Sequence, residues 1–134
     1  MPQALSDKAD KVIHSKAFSG TATLASGASF DVTVIASDES GRPSGSKVVV
    51  VGLHNVSLQM AMTGDMSVTI KSGSTALTGP MRFSKDQITN FNTAIMPDGH
   101  FKSSADEAIV VTLKNEHAST RSSGIFGYLT FYYE

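Results

Sequence analysis

Residues Phe18–Ala36 read FSGTATLASGASFDVTVIA, and the period of that stretch decides the class of the fold. Phe18, Gly20, Ala22 and Leu24 alternate with Ser19, Thr21 and Thr23; after the turn signal ASGAS, Phe30, Val32, Val34 and Ala36 alternate with polar Asp31 and Thr33. A period of two puts successive side chains on opposite faces of an extended chain, so the stretch predicts a β-hairpin. Downstream, Ser37–Ser46 (SDESGRPSGS) holds two glycines and a proline and predicts an exposed loop. Lys47–Leu53 is apolar on both sides, and Val56, Leu58, Met60 and Met62 alternate up to a turn at Gly64-Asp65. Further strands are expected at Met66–Lys71, Thr75–Thr78, Glu107–Lys114 and Gly124–Tyr133. Met81–His100 reads as a long connection with one helical turn, from the spacing of Ile88, Phe91 and Ile95.

The predicted fold is therefore all-β, an antiparallel β-sandwich or jelly roll of about eight strands. Residues 1–16 form a short N-terminal arm, mildly helical over Ser6–Ser15, and residues 17–134 a single β-sandwich domain. The arm has no apolar run after a basic start, so no secretion signal is expected, and no stretch nears the ~20 apolar residues of a membrane span.

Composition narrows the function. The chain has 134 residues, 11 basic against 12 acidic side chains, and no cysteine or tryptophan. Near-neutral charge gives no footprint for nucleic acid or an anionic membrane, and without cysteine there is no thiolate ligand or nucleophile. Serine and threonine together number 31, so the surface is hydroxyl-rich rather than ionic. His14, His54, His100 and His117 show no local metal-ligand spacing. Ser44–Lys47 spells S-x-x-K and Gly41–Lys47 resembles a phosphate loop, but Lys47 opens a valine-rich strand where either chemistry needs a helix. Asp38-Glu39 and Asp106-Glu107 are acidic neighbours without a calcium-loop pattern. No cofactor, metal site or catalytic constellation is expected.

Two strands depart from the one-wet-face rule of a sandwich. Val48–Leu53 is apolar throughout; the last strand carries Ile125, Leu129, Phe131 and Tyr133 on one side and Phe126, Tyr128 and Tyr132 on the other. Either the Met81–His100 connection or the arm crosses that second face, or identical subunits pack on it. Aromatic residues are enriched in interface cores, which favours self-association, with Val49, Val51, Leu53, Phe126, Tyr128 and Tyr132 as candidate contacts.

The second half of the chain also resembles a known family. LTGPMRF (77–83), a connection ending in DGHFKSSADEAIVVTL (98–113), and a closing GIFGYLTFYYE (124–134) are similar to the C-terminal half of small jelly-roll proteins in virions of tailed bacteriophages. Phe101 precedes a K-x-x-x-x-E-A stretch containing Glu107 and Ala108, and Gly124 and Tyr128 stand in the closing strand. The resemblance implies a capsid decoration or cement protein that acts in the virion. Its implied partners are itself, with a trimer the expected form, and the major capsid protein or another virion protein. The alternative is a carbohydrate- or receptor-binding β-sandwich, as on a tail fibre, for which Phe91 and Phe101 are the available loop aromatics.

Overall fold

The computed structural model describes residues 12–60, 65–84, 88–92 and 101–134, and among the described residues every regular element is a strand. In chain order these are β1 (His14–Leu24), β2 (Ser29–Ile35), β3 (Val48–Met60), β4 (Asp65–Ser72), β5 (Thr75–Ala76), β6 (Met81–Ser84), β7 (Ile88–Asn92), β8 (Phe101–Lys102), β9 (Ile109–Asn115) and β10 (Arg121–Tyr133). They make two antiparallel sheets. One runs β1-β10-β3-β7 with β8 also on β3, and the other β2-β9-β4-β5 with β6 also on β4.

The pairing is nested. β1 pairs with β10, β2 with β9, β3 with β7 and β8, and β4 with β5 and β6. A chain doubled back into one long hairpin and then rolled until β10 meets β3 and β9 meets β4 is a jelly roll. The all-β sandwich read from the sequence is the fold of the protein.

Alternation places the core. On β1, Phe18 and Leu24 are buried while Ser15, Ala17, Ser19, Thr21 and Thr23 are exposed. Opposite, Val34, Val68, Ile70, Val111 and Leu113 meet Val50, Leu53, Ile125 and Leu129 between the sheets. Burial of this many aliphatic side chains is the dominant favourable term holding the layers together.

Three expectations need correction. Lys47–Leu53 and Val56–Met60 belong to one strand, β3, whose register with β10 shifts between Thr130 and Phe131 and again between Phe126 and Tyr128. Each shift adds a residue on β3, and at Val51 the extra residue returns Leu53 to the inward face. Within Met81–His100 the chain forms β6 and β7 rather than a helical turn; residues 85–87 and 93–100 lie outside the described residues. Pairing on β3 and β4 satisfies backbone groups that a lone helical turn would leave uncovered along those strands. Finally, β1 starts at His14, so His14–Lys16, expected in the arm, pair with Phe131–Leu129 because β10 is long enough to meet them. Met1–Lys11, with the expected helical stretch from Ser6, lie outside the described residues.

The loops are tied down. Glu39 accepts from the Ala36 N–H (3.1 Å) and pairs with Lys16, while Arg42 donates to the carbonyls of Ala36 (2.9 Å) and Ser46 (3.2 Å). These bonds anchor the exposed Ser37–Ser46 loop to the body. Lys47 opens the strand by exchanging backbone bonds with Glu134 at 2.9 Å each.

Candidate interaction surface

The outward faces of the two sheets differ in chemistry. On the β2-β9-β4 sheet the register aligns Asp31, Thr112 and Thr69 in one row and Ser67, Lys114 and Arg82 in another. Thr112 donates to Asp31 (2.6 Å), Ser67 donates to Glu116 (3.1 Å), and Glu116 pairs with Arg82 (2.9 Å) and Lys114 (3.5 Å). The charged ends of this face, Asp31, Arg82 and Lys114, are exposed, while Ser67, Thr112 and the outward Val110 are buried beneath such neighbours.

On the β1-β10-β3 sheet the outward face is aromatic along its middle strand. Ile125, Leu129 and Phe131 point into the core, so Phe126, Tyr128, Thr130 and Tyr132 point out. The row of β1 facing them is small and hydroxylated, with Ser19 opposite Phe126, Ala17 opposite Tyr128 and Ser15 opposite Thr130. Small neighbours leave the rings standing above the sheet. Phe126 is 36% exposed, and Thr21 and the edge of the Phe126 ring close over Gly124. Tyr128 is half-buried because the His54 ring stacks on it, centroids 4.9 Å apart at 21°. His54 is oriented by its Nε2 at 2.9 Å from Thr130 Oγ1, which lies 3.5 Å from the Gly52 carbonyl.

The six candidate contacts thus separate. Phe126, Tyr128 and Tyr132 share the outward face, Phe126 exposed and the two tyrosines half-buried. Val51 is half-buried at the bulge of β3. Leu53 is 1% exposed within the core, and Val49, though outside the core cluster, is 0% exposed. Those two offer a neighbour no surface in the single chain. Val49 stands in register between Tyr132 and Lys102, and the Lys102 side chain crosses β3 to pair with Glu134 at 3.0 Å. Val49 is thus flanked in register by Tyr132 and Lys102 of its own chain.

Val12 and Ile13, which the sequence places on the apolar side of the expected helical arm, stand 65% and 54% exposed just before β1. With Phe126 they are the large exposed hydrophobic residues among the described residues.

Several other sequence candidates make contacts within the chain, and His100 lies outside the described residues. Asp106 accepts from the Gly45 N–H at 2.7 Å and Glu107 from Ser72 at 2.9 Å, so that acidic pair joins loops. His14 stacks on Phe131 and His117 accepts from the Ser119 N–H, and no group of three or more metal-ligating side chains assembles among the described residues. Phe101 packs against the core rather than forming a platform, and the side chain of Phe91 lies outside the described residues.

No family model matches the chain, and no curated protein matches it. Solved structures with a similar course include a mitogen derived from Yersinia pseudotuberculosis, at 12% identity and TM-score 0.45, covering 87% of this chain and 85% of that one. A chain of the infectious bursal disease virus particle is similar at 12% identity and TM-score 0.35, covering 91% of this chain but 39% of its own. The Gt strain of the same virus gives 9% identity and TM-score 0.26, covering 92% and 40%. At such scores the strand pairing, and not the likeness, carries the fold assignment.

Proposed function

We propose that this protein is a non-enzymatic structural component of a virion, of the decoration or cement type, that self-associates and binds an outer shell. The observation that carries the reading is the asymmetry between the two outward faces: one is hydroxylated and ion-paired, the other carries the Phe126, Tyr128 and Tyr132 row. An aromatic row bordered by small residues suits an interface centre, where rings fill pockets and hydroxyls meet the wetter rim. The likeness of residues 77–134 to virion jelly rolls adds the setting, and the few charges and firmly tied loops fit a rigid particle part. Contact through this face would involve Phe126, Tyr128, Tyr132 and Val51, and would leave Val49 and Leu53 in their intrachain positions.

The test is molar mass in solution together with loading onto candidate capsids. A trimer, or another closed oligomer, that Phe126→Ser converts to smaller species supports the reading. A monomer that also fails to bind shells would end it.

A further inference from the structure

We infer that the outer edge of β1 is a second, independent contact site, built to pair antiparallel with β1 of another copy of this chain. The site is an edge rather than the aromatic face, and it stands on different observations.

β1 ends its sheet, pairing with β10 on one side; among the described residues no strand pairs with its other side. Every second residue of an eleven-residue strand therefore presents an N–H and a C=O outward. Edges are ordinarily guarded by proline, a bulge, a projecting or inward-pointing charge, or a covering loop. β1 contains no proline and its register with β10 runs from His14 to Leu24 without a shift; its one charged side chain, Lys16 on the inward side with Phe18, is neutralised by Glu39 of the same chain.

A second copy fits because the strand is complementary to itself. With a two-fold axis at Ser19, Ser19 meets the partner's Ser19, Ala17 meets the partner's Thr21, and Ser15 meets the partner's Thr23. Hydroxyl and methyl groups then face one another across the outward side, pairs that favour a sheet. Lys16 falls opposite the partner's Ala22. The two lysines are then six positions apart, ~20 Å at the usual strand rise and beyond the ~8 Å screening length of physiological salt. Charge thus raises no barrier to this register. Phe30 and Val32 of β2, half-buried against the core, pack beneath Gly20 of this strand, so close that a Cβ there would lie 2.9 and 2.8 Å from them.

Sedimentation velocity on the full chain, on Ser19→Lys, on Ser19→Glu and on an equal mixture of the two variants tests this. Ser19 is exposed, so both variants should melt as the parent does. Like charges facing across the axis should weaken association by roughly five- to tenfold in each variant alone, and mixing should restore it. Ser19 also lies opposite Phe126, so loss of mass in both variants with recovery on mixing supports the edge when Phe126→Ser leaves association intact. A monomeric parent up to its solubility limit, variants that associate like the parent, or no recovery on mixing would each overturn it. If Phe126→Ser also abolishes association, the aromatic face is the interface and the edge is not.

Discussion

Lys102 on β8 and Glu134 after β10 join at 3.0 Å across the strand that separates them, and Val49 of that strand lies in line with Lys102. The glutamate, first by its hydrogen bond and then by its charge, favours the charged lysine and holds its pKa above the ordinary value. Both partners are nearly half exposed, so water screens most of the attraction. The contribution expected of the pair is chiefly to hold an alkyl chain beside Val49, its neighbour in register.

Lys102→Met should therefore stay within about 0.5 kcal/mol of the parent, whereas Lys102→Ala should lose about 1 kcal/mol by removing the alkyl chain beside Val49. Urea denaturation of the two variants checks this. Equal losses would assign the effect to charge.

Asn115 is 0% exposed, and its amide is fully used. It donates to the carbonyls of Leu24 (3.0 Å), Ala25 (3.4 Å) and Ser119 (2.8 Å), and accepts from the His117 N–H (2.8 Å), joining the β1–β2 turn to the β9–β10 loop. Asn115→Ala should cost about 2–4 kcal/mol by leaving buried carbonyls unpaired. Asn115→Asp should cost more, since it turns an acceptor toward those carbonyls. Thermal melts of the two variants give the order.

Gly20 has no room for a methyl group beside Val32 and Phe30. Gly20→Ala should lose about 1–2 kcal/mol, and Gly20→Ala with Val32→Ala should recover part of it, a coupling that a double-mutant cycle measures.

Glu39 is held below the ordinary carboxylate pKa, first by its bond from Lys16 and then by the Ala36 N–H; Glu116 is lowered first by Arg82, with Ser67 and Lys114 helping. A carboxylate whose pKa is lower folded than unfolded contributes stability at neutral pH. That contribution fades as pH falls below the ordinary carboxylate value and through the folded one. Denaturation midpoints should drop between neutral pH and about pH 3, and Glu39→Gln with Glu116→Gln should flatten that slope.

Much of this was legible in the chain. The Phe18–Ala36 alternation gave β1 and β2, and the inward Ile125, Leu129, Phe131 set gave the orientation of β10, because a two-residue period maps directly onto faces. The valine run was harder. A bulge changes which residues face inward without changing composition, so Leu53 read as second-face surface although it only rejoins the core after Val51. The extended backbone at Ile88–Asn92 was masked by an apolar spacing of three that suits a helix equally. For the surface, the outward tyrosines and Phe126 were visible in the pattern, but the neighbour of Val49 in register is a lysine from a strand two residues long.

The nested pairing has a consequence for folding. Among the described residues β1 pairs only with β10, the far end of the nest, and β10 also carries β3. Closing that sheet therefore needs contacts between strands distant in sequence, which slows folding, and a copy truncated before Arg121 would lose the central strut of its sheet rather than an end.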